Sequence, residues 1–242
     1  KISLLEDNTG IIEEILERKN LLIRPRVSNI DCAVITFSIV SPNINIDLLD
    51  RFLILAESQN IENIIICINK CDLANENDIE NIKSLYENIY PIVFTSTKQN
   101  KGIEELKKLM NNKVTVFAGP SGVGKSSLIN TILPNASLQT GDISKKIERG
   151  KHTTRQVELL EAWENTYIVD SPGFTSLTID FLNDNLDNYF KEFREYLGDC
   201  KFYDCKHIHE PSCAIKEQIG KNISEERYTR YTKLLNELLE RN

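Results

Sequence analysis

Apolar stretches long enough to cross a membrane are missing from this sequence: the longest, around Asn63–Ile68, falls far short of the about 18 consecutive apolar residues that a span requires. No membrane association is expected. Positive charge is also scarce. The 29 Lys and Arg against 36 Asp and Glu leave a formal net charge of -7, which excludes a generic polycation coating nucleic acid and confines any nucleic-acid contact to a local patch. Internal repeats and low-complexity tracts are lacking. Methionine and tryptophan occur once each, as Met110 and Trp163. Because Lys1 opens the chain and its methionine is internal, the native start and any targeting signal are expected to lie outside it. What is present is 242 residues, enough for one large domain or two small ones with a substantial core.

Six cysteines fall in two settings. Cys32, Cys67 and Cys71 stand in or beside apolar strand-like runs, where reduced core thiols are expected. Cys200, Cys205 and Cys213 crowd a short segment with His207 and His209, a density that asks for a chemical reason. Both settings suit a reducing, cytoplasmic compartment.

Along the chain, strand-like runs alternate with helical spacing, the pattern of an α/β fold with a buried parallel sheet. Strands are expected over Gly10–Glu17, Cys32–Val40, Ile64–Ile68, Ile92–Thr95 and Val114–Ala118, and a strand pair over Gln156–Ala162 and Tyr167–Val169. Helices are expected over Ile46–Glu57, Ile79–Asn88, Ile103–Met110 and from Ser126 to about Leu133, with a long loop over Asn135–Thr154. Beyond about Phe181, helical patterns predominate.

Gly119-Pro120-Ser121-Gly122-Val123-Gly124-Lys125-Ser126 matches G-x-x-x-x-G-K-[ST] between a β-branched strand and an amphipathic helix. In such a loop backbone N–H groups and a helix N-terminus cradle phosphates. Lys125 would reach the β and γ oxygens, and Ser126, followed by Ser127, would place a hydroxyl on Mg²⁺. Asn69-Lys70-Cys71-Asp72 follows the strand Ile64–Ile68 and is an N-K-x-D, which reads guanine: Asp72 would accept from N1–H and the 2-amino group, whereas adenine would leave the carboxylate facing a lone pair. Lys70 can lie along the ring face, and Asn69 can tie this loop to the phosphate loop. Thr95-Ser96-Thr97-Lys98 is similar to an S-A-K element whose backbone N–H meets guanine O6, with Thr97 where Ala is usual.

Asp170-Ser171-Pro172-Gly173 is a D-x-P-G in which Asp170 can hold Mg²⁺ through water and the Gly173 N–H can meet the γ-phosphate. Gly150-Lys151-His152-Thr153-Thr154-Arg155 offers a second hydroxyl ligand for Mg²⁺, Thr154 being favoured over Thr153. Phe174 occupies the position where Ras-like GTPases carry a water-orienting glutamine, so His152 is the candidate for that task. The guanine motif precedes the phosphate loop, the reverse of the ordinary order, and a circular permutation is inferred. Cys200-x₄-Cys205-x-His207-x₅-Cys213 supplies three thiolates and an imidazole, the donor set of one closed structural Zn²⁺ per chain, with His209 an alternative to His207. Lys201, Lys206, Lys216 and Lys221 lie close by in sequence and could touch phosphate.

The permuted order, the G-P-S-G-V-G-K-S-S loop, the G-K-H-T-T-R segment, D-S-P-G-F and the cysteine–histidine knuckle together resemble the RsgA family of bacterial small-ribosomal-subunit biogenesis GTPases, which includes YjeQ and YloQ. That resemblance implies the tail of an N-terminal OB-fold over residues 1–26, a circularly permuted P-loop GTPase domain over 27–178 and a mainly helical zinc-binding domain over 179–242. It implies GTP hydrolysis to GDP and phosphate, stimulated by the small ribosomal subunit during its late assembly, with rRNA contacts. A monomer is expected. Two departures are visible: the family often has Gln where Pro120 stands, and its guanine motif varies at the position of Asn69. A GTP-gated RNA- or ribosome-binding module with incidental hydrolysis is the other reading, separated by whether subunits accelerate turnover. A P-loop metabolic kinase would need a phosphoacceptor pocket or lid, and no sequence feature supplies one.

Overall fold

The computed structural model describes residues 2–4, 9–22, 27–133, 158–170 and 185–240. Its centre is a six-stranded sheet. Strands β1 (Ile2–Leu4) and β2 (Gly10–Ile12) form one small antiparallel pair, and β3 (Leu21–Leu22) and β4 (Val27–Ser28) another. The central sheet comprises β5 (Cys32–Ser38), β6 (Asn63–Asn69), β7 (Ile92–Phe94), β8 (Val114–Ala118), β9 (Glu158–Trp163) and β10 (Thr166–Asp170), in the order β7-β6-β5-β8-β10-β9. All neighbours are parallel except the β9–β10 hairpin.

From β5 the chain steps outward through β6 to β7, then returns to the other side of β5 and continues from β8 to β10. The strand order thus reverses between β5 and β8. At such a reversal the loops leaving the carboxyl ends of neighbouring strands diverge to opposite faces and open a crevice.

The five parallel strands bury both faces, and their residues divide by parity between two apolar layers, whereas the edge strand β9 leaves Leu159 and Glu161 exposed. On β5, Ala33, Ile35 and Phe37 face the layer built with α1 (Ile46–Ser58) and α2 (Glu76–Tyr86), while Cys32 and Val34 face the layer built with α3 (Ile103–Met110) and α4 (Lys125–Ile132). Full burial of such side chains contributes about 1.5–3 kcal/mol each. Met110 lies wholly inside the second layer. Helix starts follow local chemistry: the Asn45 side chain accepts from the Leu48 N–H at 3.0 Å, and Asn75 and Asp78 form a reciprocal capping box.

The strand expected over Gly10–Glu17 stops at Ile12. Its pairing with β1 covers Gly10–Ile12, and Ile15 and Leu16 are exposed. The loop expected over Asn135–Thr154 lies outside the described residues. In the C-terminal part, short 3₁₀ turns at Leu186–Tyr189 and Lys191–Tyr196 and the four-residue α5 (Ala214–Glu217) precede one long helix, α6 (Glu225–Leu239). These elements share a third apolar cluster centred on Phe190, Phe193, Tyr231 and Leu235, to which α1 contributes Ile54. No helix of the described residues is long and apolar enough to cross a membrane.

Candidate functional site

Because β5, β6, β7, β8 and β10 are parallel, their carboxyl ends share one edge of the sheet, and the sequence motifs gather there. The loop Gly119–Gly124 leaves β8 and enters α4. Gly119 has φ 141° and Gly124 has φ 96°, a backbone region that favours glycine. A Cβ at Gly119 would run into the Thr36 carbonyl of β5, and one at Gly124 into the Asn69 amide. The loop therefore turns tightly against both neighbours and leaves α4 without a side-chain cap at its start. Lys125 Nζ lies across this turn, donating to the Gly119 carbonyl at 2.7 Å and the Pro120 carbonyl at 2.8 Å. Burial brings the Lys125 ammonium down to about 8, so a positive charge is held partly desolvated where anionic oxygens would stabilise it. Ser121, Gly122 and Ser126 are exposed on this edge, Val123 is buried beneath them, and Ser127 is half-buried on α4.

The Asn69–Asp72 loop leaves β6 beside it, Lys70 adopting a left-handed φ of 60°. Asn69 is buried and donates from Nδ2 to the Val123 carbonyl at 3.0 Å, while its Oδ1 accepts from the Thr95 hydroxyl at 3.2 Å. Lys70 Nζ donates to the Gly122 carbonyl at 3.0 Å and to the Ser41 carbonyl. Asp72 Oδ1 accepts from Ser96 Oγ at 2.6 Å, and that hydrogen bond holds the carboxyl below its usual range. The backbone N–H of Ser96 donates to the Lys101 carbonyl at 3.0 Å, and Thr97 follows half-buried. The structure thus ties Asn69 and Lys70 to the phosphate-type loop through direct hydrogen bonds, while Asp72 and Ser96 bond each other beside it.

Asp170 ends β10 on the same edge. Gly173, His152, Thr153 and Thr154 lie outside the described residues. Two contributors were not singled out from the sequence. Thr95, the first residue of its motif, orients the Asn69 amide. Ser41 anchors Lys70 from the loop after β5, where no motif flags it.

In the C-terminal part, Cys200, Cys205, His207 and Cys213 place their donor atoms within 4.8 Å of one another. A tetrahedral ion with bonds of about 2.3 Å to sulfur and about 2.0–2.1 Å to nitrogen sets sulfur–sulfur edges of about 3.8 Å and sulfur–nitrogen edges of about 3.5 Å. Cys200 Sγ stands 3.8 Å from Cys213 Sγ, and His207 Nδ1 stands 3.6 Å from Cys200 Sγ and 3.3 Å from Cys213 Sγ. The residues therefore fit one tetrahedral cation. Burial pushes the Cys205 thiol up to about 12, and a cation among the sulfurs would reverse that preference.

His207 Nε2 faces Asp187 Oδ2 at 3.3 Å, the carboxylate–imidazole arrangement that orients metal-binding histidines. Asp187 has no spacing signature in the sequence. Glu210 accepts the backbone N–H groups of Lys206, Ile208 and His209 at 2.8–3.1 Å. Although burial opposes it, those donors lower the Glu210 carboxyl to about 2. The Tyr228 hydroxyl, from α6, donates to the His207 carbonyl at 2.6 Å. The loop is thus built to aim His207, which sits at a left-handed φ of 61°, while His209 is exposed and stands outside the cluster.

Residues 15–180 match the family model of the RsgA GTPases. The small ribosomal subunit biogenesis GTPase RsgA of Alkaliphilus metalliredigens is 46% identical over 96% of this chain and 81% of its own length. The protein of the same name from Caldanaerobacter subterraneus is 46% identical over 100% of this chain and 82% of its own length. Among solved structures, YjeQ from Thermotoga maritima superposes with a TM-score of 0.84 at 39% identity, covering 100% of this chain and 83% of that one. YloQ, described as a circularly permuted GTPase, gives 0.80 at 36% identity, covering 100% and 79%. With the motif order permuted around a sheet whose carboxyl edge joins a phosphate-type loop to a guanine-type loop, the chain belongs to the RsgA GTPase family.

Proposed function

We propose that this protein hydrolyses GTP to GDP and phosphate while bound to the small ribosomal subunit, acting in the subunit's late maturation with turnover stimulated by it. The observation that carries this reading is the hydrogen-bonded union of the Asn69–Asp72 and Gly119–Ser126 loops at neighbouring strand ends. Guanine would lie against Lys70 with Asp72 accepting from N1–H and the 2-amino group. The Ser96 N–H is already engaged by Lys101, so Thr97 is the residue whose N–H would meet O6. Phosphates would occupy the Gly119–Gly124 turn and draw Lys125 off its two carbonyls. Ser126 and Thr154 would hold Mg²⁺, which when bound neutralises charge between the β and γ oxygens, with Asp170 behind a water and Gly173 at the γ-phosphate.

His152 would orient the attacking water by accepting a hydrogen bond, the task Phe174 cannot perform. Cys200, Cys205, His207 and Cys213 would hold one structural Zn²⁺, a site with no open position for substrate chemistry. The chain divides in this reading into an OB-fold tail over 1–26, the permuted GTPase domain over 27–178 and the zinc domain over 179–242. It acts as a cytoplasmic monomer whose ribosomal contacts include rRNA.

The deciding measurement is steady-state GTPase turnover with and without purified small subunits. Acceleration by subunits is the expected result; tight GTP-dependent binding without acceleration would leave a GTP-gated binding module instead. His152→Ala is expected to lower the stimulated kcat by about 100-fold or more while GTP affinity changes little. Full stimulated turnover in that variant would show His152 to be a bystander.

A further inference from the structure

α1 is held along its length by the C-terminal part through a charge network at its centre. Asp50, fully buried, shares its carboxylate between Arg227 and Arg230 of α6 and the Tyr86 hydroxyl of α2, the last two at 2.5 Å. Arg227, also fully buried, continues to Glu192 through two hydrogen bonds of 2.6 and 3.1 Å and lies over the Phe190 ring at 4.6 Å. One turn before Asp50, Asp47 pairs with Lys233, and the residue after Asp50, Arg51, pairs with Glu237. At the far end of α1, Glu57 accepts from Arg194 at 2.6 Å. Buried ion pairs contribute little net stability relative to apolar packing, but charges that find partners in one arrangement alone fix register. Here they fix the rotation and axial position of α1 against α6.

The other end of the same helix is the loop Ile39–Asn45, which braces the nucleotide edge. The Ile39 N–H donates to the Asn69 carbonyl at 3.3 Å, Ser38 Oγ ties to the Pro42 carbonyl at 2.8 Å, and the Ser41 carbonyl receives Lys70 Nζ. That ammonium simultaneously holds the Gly122 carbonyl of the phosphate-type loop. Within the span from Ser41 to Asp50, the chain passes from a contact with Lys70 to a buried contact with α6. A shift of α1 would move the Ser41 carbonyl and with it the cation that links the two loops.

We infer that Arg227, Arg230 and Asp50 are positioning residues for the nucleotide site: through α1 the C-terminal helix places Ser41 and hence Lys70, so that nucleotide binding and the docking of α6 stabilise each other. This rests on the reading of Lys70 and the Gly119–Gly124 turn as nucleotide-binding. Reciprocity is required by thermodynamics, so whatever α6 docking does for nucleotide affinity, nucleotide does for α6 docking.

The test uses the full metal-loaded chain and GDP as probe, with two readouts: the dissociation rate of a fluorescent GDP analogue, and amide hydrogen exchange across residues 225–239 with and without saturating GDP. In the wild type GDP is expected to slow exchange in α6 about fivefold or more. Arg230→Met, which leaves Asp50 paired with Arg227 and Tyr86 and so keeps the fold, is expected to speed GDP dissociation about five- to tenfold and to abolish the effect of GDP on α6. Tyr203→Ala, at a fully exposed position of the cysteine-rich loop, is expected to change neither readout. A residue with a merely structural role would raise α6 exchange equally in both states and leave GDP dissociation untouched, which overturns the inference. If the wild type fails to bind GDP, the nucleotide-site reading falls and takes the inference with it. If the wild type binds GDP but α6 exchange ignores it, the coupling alone is wrong.

Discussion

At the residue scale the site depends on hydrogen bonds that hold side chains ready before a ligand arrives. Ser96 keeps Asp72 ionised and aimed, and Thr95 fixes the Asn69 amide so that its Nδ2 reaches Val123. Asp72→Asn replaces half of a two-acceptor carboxylate by a donor, so GTP is expected to bind more weakly and xanthosine triphosphate more tightly, as read by competition calorimetry. If ATP binds the wild type within about threefold of GTP, the guanine assignment is wrong. Lys125 gives a pH-dependent expectation. Burial brings it to about 8 without ligand, and a bound phosphate favours the ammonium and raises it. The bound state therefore carries more protons than the free state around and above pH 8, and affinity falls as pH rises through that window. At pH 8, GDP binding should take up about half a proton. Calorimetry in two buffers of different ionisation enthalpy measures this uptake, and identical heats in both would remove the desolvated-lysine picture. The types and spacing of the loop residues were legible in the sequence, because glycines and an N-K-x-D act through local backbone chemistry. Ser41 was not, since a backbone carbonyl leaves no trace in residue identity.

At the element scale, loops that carry function are shaped by neighbours distant in sequence. The knuckle between Cys200 and Cys213 is held by Glu210 from within, by Asp187 from a preceding 3₁₀ turn and by Tyr228 from α6. Asp187→Ala is expected to weaken zinc binding about 10- to 100-fold, the usual effect of removing the carboxylate behind a metal-binding imidazole. Competition with a chromophoric chelator reads this directly, and unchanged affinity would reduce Asp187 to a surface contact. Helix α1 illustrates a larger dependence. Asp50→Ala would leave Arg227 buried with half its charge compensation removed, so a loss of about 3–5 kcal/mol is expected in denaturant unfolding. A loss under about 1 kcal/mol would mean that the network is not held as tightly as its burial implies. Helix α1 itself was readable from periodicity, but the partner of its buried carboxylate was not. Ion pairs across 180 positions of chain carry no pattern.

For the molecule as a whole, two apolar layers support the sheet and a third cluster supports the C-terminal part, with Ile54 and Asp50 of α1 reaching into the latter. Chelation of the metal is expected to unfold the C-terminal part and spare the sheet. Trp163 is a convenient reporter, because it ends β9 and donates from Nε1 to Asn111. Its emission should hold while far-UV circular dichroism loses the α6 signal; a red shift in step with metal loss would show that the two parts unfold as one. Legible in the residues were the α/β class, the strands of the central sheet and helices α1–α4 to within a few residues, the glycine-lysine and N-K-x-D loops and the cysteine–histidine quartet, because these rest on period, turn chemistry and donor type within short windows; the short pairs β1–β2 and β3–β4 and the 3₁₀ turns of the C-terminal part were not. The sequence pattern carried β2 to Glu17, whereas the described pairing covers Gly10–Ile12 and leaves Ile15 and Leu16 exposed. The order of strands, the reversal between β5 and β8 that sets the two loops side by side, and the grip of α6 on α1 came from packing. Those depend on which surfaces meet once the chain is compact, and hydrogen bonds and ion pairs between remote residues form only where packing has already brought them within reach.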